Sequence, residues 1–385
     1  MPSTSRIQIK AKALENNIDF VRSLIGNQTI LSAVIKGNAY GHGTHIIIPA
    51  FEKYGVNHFS VYSSAEARDA FKYKLKGTTL LIMGYILPSD YIWAIENDVE
   101  FYVSDLSVLN NTIEIAKQLE KKAIIHLDLE TGMNRTGLGI ANLKKAIPII
   151  KKNEEHLVIR GVTSHFAGAE SIANHLRVKT QFSVFKKRVK YINSNGIFPE
   201  IKHIASSAAT INYPDTRLDM IRVGILLYGY WPTQETFIHY IHRRKDKSDP
   251  LLRAIRWCSN VISIKKVPAG EFIGYGLSFQ AQHDMTTILV PVGYCNGYSR
   301  SLSNSGHIIV KNHIAPIIGS VNMNMLIADV TNIENVQIGD KVVLIGKQGD
   351  NEISFSSFAE MNNSLNYEIL ARLPINIERI ETEID

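Results

Sequence analysis

Short apolar, β-branched runs alternate with longer amphipathic stretches through the first two-thirds of the chain. The runs predict strands over 29–36, 56–62, 79–83, 100–103, 123–129, 158–164, 200–205 and 220–226. The stretches between them, among them 106–121, 142–152 and 175–194, carry the 3.6-residue spacing of helices that bury one face. This alternation over a span near the ~250 residues of a (β/α)8 barrel predicts an α/β fold of that TIM type. A doubly wound sheet is the alternative; it requires a reversal of strand order and usually fewer strands.

Beyond about residue 250 the texture changes. Helical stretches shrink, and short strands are predicted over 259–267, 287–292, 307–310, 316–319, 325–330 and 341–345. Gly339-Asp340 and Pro268-Ala269-Gly270 read as turns between them. The expected organisation is a barrel domain over 1–245 and a mostly β domain over 246–385, divided within the loop 243–250.

Composition narrows the class. Of 385 residues, 45% are hydrophobic and 20% charged, as in ordinary globular proteins, which excludes disorder, collagen and coiled coil. Two cysteines, Cys258 and Cys295, build neither a disulfide framework nor a Cys-rich zinc site, and a reducing, cytoplasmic setting is expected. The N-terminal stretch lacks the apolar segment of a signal peptide, and no run reaches the ~18 apolar residues of a membrane span. The net charge of +6 raises nucleic acid as a partner. The densest basic run, His242–Lys247, contains acids and ends in a turn, so it reads as a solvated loop, and small anionic ligands suit the scattered arginines better.

In a barrel of this type the chemistry lies at the C-terminal ends of the strands. Several predicted strands end in reactive or anion-handling residues. The first ends in Lys36 before a Gly-rich stretch, the fifth in Asp128 with Arg135 seven residues on, the sixth in Ser164-His165, and the seventh in Ser206-Ser207; the eighth contains Arg222, Gly224 and Ile225. A lysine drawn to a barrel mouth by Ala33-Val34-Ile35 loses hydration, which depresses its pKa. A neutral amine there can bond an aldehyde cofactor. A lone lysine of this kind is usually a snorkelling strand end. The balance tips because Ser207 and the backbone of Gly224 and Ile225 supply phosphate-binding material. The stretch 37–43 lacks the Gly-Lys-Ser/Thr ending of a P-loop.

The segment Ala33-Val34-Ile35-Lys36-Gly37-Asn38-Ala39-Tyr40-Gly41-His42-Gly43 resembles the pyridoxal-phosphate attachment motif of alanine racemases. The resemblance continues in family order through Thr131–Arg135, Ser164–Ala167, Arg222–Gly224, Gly274–Gly276, Gly293–Gly297 and Asn366–Glu368, and covers nearly the whole chain. It implies that Lys36 carries pyridoxal 5'-phosphate covalently. Tyr40, Ser207, Gly224, Ile225 and Tyr367 would hold the phosphate, His165 would lie near the ring, and Arg222 would face the pyridine nitrogen. A guanidinium donates without giving up its proton, so the cofactor would be a restrained electron sink.

Racemisation needs a base on each face of a planar carbon. The resemblance implies Lys36 on one face and Tyr275 on the other, with Arg135 and Met323 near the substrate and Tyr294 at the entrance. A free tyrosine has a pKa of about 10, so Tyr275 needs cationic neighbours such as His165 and Arg222. Tyr275 and Met323 would come from a second copy, making a homodimer the catalytic unit; no nucleic acid, membrane or metal is implied.

This sequence departs from the family at several places. Asp128 stands where a lysine, often carbamylated, orients the arginine matching Arg135, and it is expected to supply that anion directly. Glu130, Asn134 and Ser206 also differ, and amides replace entrance-side carboxylates at Asn296 and Asn324. Interconversion of L- and D-alanine is the expected reaction, with a broader or altered amino-acid racemase as the alternative. A related decarboxylase would place its cysteine elsewhere than Cys295. A metal-dependent aldolase would need a late His/Cys pair, and the chain has neither residue after His313. A non-catalytic pyridoxal-phosphate carrier would lack both the β domain and Tyr275.

Overall fold

The computed structural model describes residues 4–242, 244–354 and 366–383. Arg243, at the start of the expected boundary loop, and residues 1–3 lie outside them, as does the side chain of Asn366. The first strand, β1 (Arg6–Lys10), belongs to the later sheet described below. The next eight close a parallel barrel in chain order: β2 (Ile30–Val34), β3 (His58–Val61), β4 (Thr79–Ile82), β5 (Glu100–Val103), β6 (Ala123–Asp128), β7 (Leu157–Thr163), β8 (Ile201–His203) and β9 (Met220–Val223). These are the eight expected strands. Closure is made by β2 against β9, with Ile30 opposite Met220 and Ala33 opposite Val223, so there is no open edge as in a doubly wound sheet.

The runs are continuous rather than alternating because both faces of such a strand are covered. Leu80, Leu81 and Ile82 of β4 are all buried. The covering helices follow their sequence signals. Asp105 caps the helix Leu106–Gln118 by accepting from the backbone N–H groups of Ser107 and Val108. The helix His175–Ser194 buries Val178, Phe185, Val189 and Ile192, one stripe of a 3.6-residue period.

The later strands form two sheets. β10 (Ile255–Asn260), β13 (His307–Val310), β14 (His313–Pro316), β16 (Lys341–Gln348) and β18 (Glu378–Thr382) join β1 in the order β14-β13-β16-β10-β1-β18, with β17 (Asn351–Ile353) on β16. β11 (Ser263–Val267), β12 (Met285–Val290) and β15 (Leu326–Asp329) form the other. The expected strand over 259–267 is thus two strands in different sheets.

The compact units are not contiguous stretches of chain. One comprises Ala13–Lys36 and Ile47–Leu252; the other gathers residues up to Lys12, Gly37–Ile46 and those from Arg253 onward. β1 explains the first exchange, since it pairs antiparallel with β10 and parallel with β18. Among the described residues no helix is long and apolar enough to cross a membrane.

Candidate active site

The C-terminal mouth of the barrel gathers Lys36, Asp128, Arg135, His165, Ser207, Arg222, Gly224 and Ile225. Lys36 lies two residues past the end of β2, and its chain reaches solvent. The surrounding walls strip part of its hydration and the Arg135 cation adds to this, so its pKa is lowered, with Glu66 opposing. His165 is held down to about 3, first by burial and then by the cations Arg222, Arg135 and Lys36. Its imidazole is therefore neutral at any physiological pH, and it does not supply the cationic neighbour that was expected for Tyr275.

Arg222 is fixed from several sides. Its Nη1 donates to Thr163 Oγ1 at 3.0 Å and its Nη2 to the Ser164 carbonyl at 2.8 Å. Ser207 Oγ accepts from the Gly224 N–H at 3.1 Å, which leaves its own hydroxyl proton to donate. An amine with a lowered pKa, a hydroxyl donor, a fixed guanidinium and a neutral imidazole together suit a planar aldehyde that carries an anion.

The loop after β6 is closed by its own residues. The Glu130 carboxylate accepts from the backbone N–H groups of Gly132, Met133 and Asn134. Leu129 and Leu138 bridge the loop base. Asp128 Oδ2 accepts from Thr136 Oγ1 at 3.0 Å. Among the described residues no hydrogen bond or ion pair joins Asp128 to Arg135. Burial raises the Asp128 pKa, while the Thr136 bond and the charges of Arg222 and Arg135 oppose the rise.

The second unit contributes two groupings. Gly37, Asn38, Ala39 and Tyr40 form a left-handed turn, with φ of 64°, 54°, 53° and 51°. Three consecutive non-glycine residues in this region, Asn38 to Tyr40, are costly, and side chains offset the cost. Asn38 Oδ1 accepts from the Thr44 N–H at 3.0 Å, and His42 Nδ1 donates to the Tyr40 carbonyl at 2.8 Å. The turn sets the Tyr40 ring 6.1 Å from that of Tyr367. A Cβ at Gly41 would stand 2.0 Å from the Leu370 carbonyl oxygen. Arg379 donates to that turn at the Gly41 carbonyl and also to the carbonyls of Leu373, Pro374, Ile375 and Ile377.

The other grouping joins three loops. Tyr275 lies between Gly274 and Gly276, both at positive φ, and its carbonyl accepts from Ser320 Oγ at 3.3 Å. Tyr294 N–H donates to the Asn322 carbonyl and Cys295 N–H to that of Met323, both at 3.0 Å. The side chains of Tyr275, Met323 and Tyr294 are 73%, 55% and 42% exposed.

Residues 9–232 match the alanine racemase N-terminal domain family, and residues 254–381 match the alanine racemase C-terminal domain family. The chain belongs to the alanine racemase family. Alanine racemase 1 of Caldanaerobacter subterraneus subsp. tengcongensis is 32% identical over 98% of this chain and 94% of that protein. The alanine racemase structure from Clostridium difficile 630 superposes with a TM-score of 0.90 at 27% identity, covering 100% of this chain and 97% of that one. The alanine racemase of Bartonella henselae, solved with covalently bound pyridoxal phosphate, superposes with a TM-score of 0.83 at 25% identity, covering 99% and 100%. Racemases of this family are isomerases, and this chain is one of them.

Sequence reading of this alanine racemase family member passed over Glu100, His126 and His203, which lie in barrel strands behind Arg222. The available signal was a titratable residue within an otherwise apolar strand, as in Ile124-Ile125-His126-Leu127.

For Asp128→Asn, which keeps the shape and the acceptor for Thr136, turnover is expected to fall about tenfold or more if Asp128 supplies the orienting anion. Stability is expected to move the other way. A carboxylate whose folded pKa is raised is most favourable when protonated. That contribution is present at low pH and is lost as pH rises through the folded value. The variant should therefore gain in melting temperature on wild type as pH rises above the usual carboxylate range. Kinetics with and without bicarbonate, and melting curves across that range, check both halves; unchanged turnover, or a wild type that requires bicarbonate, rejects the orienting role.

Proposed function

We propose that this protein interconverts L- and D-alanine using pyridoxal 5'-phosphate bound to Lys36. The observation that carries the reading is Lys36 itself. Its amine leaves β2 at the barrel mouth, its pKa is lowered, and the surroundings of His165 place Lys36, Arg135 and Arg222 about one point. Ser207, Gly224 and Ile225 would take the phosphate, with Tyr40 and Tyr367 added by the family resemblance. When bound, the cofactor supplies an electron sink that acidifies the substrate's Cα–H.

The chain's own groups do the rest. Arg222 would donate a hydrogen bond toward the ring nitrogen and, as a guanidinium, would not hand over a proton. His165, being neutral, would lie near the ring without adding a cation. Arg135 addresses the substrate carboxylate. The Lys36 amine takes or returns the proton on one face, and the Tyr275 hydroxyl of the partner subunit takes or returns it on the other. Two faces require two groups, so a homodimer in which each copy lends its exposed Tyr275, Met323 and Tyr294 is the arrangement this reading favours.

Borohydride reduction of the purified protein followed by peptide mapping is expected to place a pyridoxyl group on Lys36. Label on another lysine overturns the assignment. A wider substrate range is the second reading, favoured by the exposed contact of Asn324 Nδ2 with Cys295 Sγ at 3.0 Å, where an amide stands in place of a carboxylate. Chiral chromatography of the common L-amino acids after incubation with the enzyme separates the two: D-alanine alone, or several D-isomers.

A further inference from the structure

A file of buried side chains runs through the barrel interior and ends on Arg222. Arg222 Nη1 lies 2.5 Å from His203 Nδ1. His203 Nε2 lies 2.8 Å from His126 Nδ1, and His126 Nε2 lies 2.8 Å from Glu100 Oε2. Room for it is built into the backbone: a Cβ at Gly161 of β7 would stand 2.2 Å from His126 Nδ1. All four side chains are buried.

The proton positions along the file follow from chemistry. A guanidinium has donors only, so His203 Nδ1 must be the bare, accepting nitrogen. Burial first, and then the nearby Arg222 cation, lowers the His203 pKa well below its usual value, so the ring is neutral and its single proton is on Nε2. That proton is donated to His126 Nδ1, which must therefore be bare. Burial also lowers the His126 pKa, and its proton, on Nε2, is donated to Glu100. A carboxylate accepts only, so both ends of the file demand the same order. Glu100 stays charged: burial works against this, but the hydrogen bond from His126 and the histidines around it outweigh burial and lower its pKa. Arg160 Nε approaches its other oxygen at 3.4 Å and His58 Nε2 lies 3.7 Å from Oε2.

We propose that Glu100 is a positioning residue for Arg222, because as the accepting end of the file it holds both histidines in the one proton order that presents a bare nitrogen to the guanidinium. The reversed order would aim the Nδ1–H of His203 at an N–H of Arg222, and the guanidinium would have to turn away. The proposal rests on the reading of Arg222 as the residue facing the cofactor's ring nitrogen.

The test uses the holoenzyme labelled with nitrogen-15 in histidine, with long-range proton–nitrogen spectra reporting which ring nitrogen carries the proton. Wild type is expected to show His126 and His203 neutral and protonated on Nε2. Glu100→Leu removes the acceptor; it is expected to bring in the other tautomer and to lower kcat about 10- to 100-fold with KM little changed, the scale of losing a residue that orients an active-site group. Glu100→Gln keeps an accepting oxygen, and is expected to retain the wild-type proton order and most of kcat. A wild-type His203 that is charged or protonated on Nδ1 overturns the proposal, and this holds even if the leucine variant does not fold. So does a Glu100→Leu enzyme with the wild-type order and rate, or a Glu100→Gln enzyme that has lost the order. Borohydride mapping of Lys36 is independent of these spectra, so failure of the cofactor assignment is distinguished from failure of the file.

Discussion

With Tyr275→Phe, exchange of the substrate α-hydrogen into solvent deuterium is expected to survive from D-alanine and to drop about 10²- to 10⁴-fold from L-alanine, the range that a positioned acid–base group contributes. The variant removes one oxygen from a side chain that is 73% exposed, so packing is barely touched. The backbone that presents the ring is also unaffected. Gly274 and Gly276 keep their positive φ, and the Tyr275 carbonyl keeps its bond from Ser320. The melting temperature should therefore match wild type while racemisation falls. Mass spectrometry of each isomer incubated in deuterium oxide reads the result. Equal residual exchange from both isomers sinks the assignment of one base to each face.

Gly41→Ala is expected to cause a large structural loss for a single added methyl group. Gly41 has φ of 77°, and the added Cβ would meet the Leu370 carbonyl at 2.0 Å. The left-handed backbone alone costs an L-residue about 1–2 kcal/mol, and overpacking adds about 1–3 kcal/mol. Neither the turn nor Leu370 can yield easily, since the first is bonded through Asn38 and His42 and the second is fully buried. The variant should unfold at lower denaturant and hold pyridoxal phosphate poorly. Equilibrium unfolding and cofactor titration check this, and a wild-type midpoint would count against the close approach.

The barrel was legible because its strands are buried on both faces and so appear as unbroken apolar runs, as with Leu80-Leu81-Ile82. The long helix His175–Ser194 was legible for the opposite reason, since its apolar positions return every turn. β1 was not legible. Arg6–Lys10 alternates over only five residues, and what makes it a strand is its pairing with β10 and β18, far away in sequence. The single expected strand over 259–267 concealed a break at Val261 and Ile262, where the chain passes from one sheet to the other. At the candidate site, Lys36, His165 and Ser207 were legible because they stand at or just past strand ends next to glycine or serine, and Arg222 because it is a lone charge in the last apolar strand two residues before Gly224. Glu100, His126 and His203 were hidden because each sits alone in its own strand, and only barrel closure brings them into line. Asp128 shows a further limit: its sequence position suggests a partner in Arg135, whereas its hydrogen bond goes to Thr136.

Arg379 sets an order of events during synthesis. Its side chain bonds the carbonyl of Gly41, 338 residues earlier, and the strand that bears it pairs with Arg6–Lys10. The barrel strands can assemble once the ribosome has passed β9. The turn that follows Lys36 gains this bond only once Arg379 is in place. A chain that lacks Arg379 would thus hold the barrel strands while the turn keeps only its local bonds from Asn38 and His42. Loss of Arg379 is thus expected to loosen the turn beside Lys36 without touching a barrel strand.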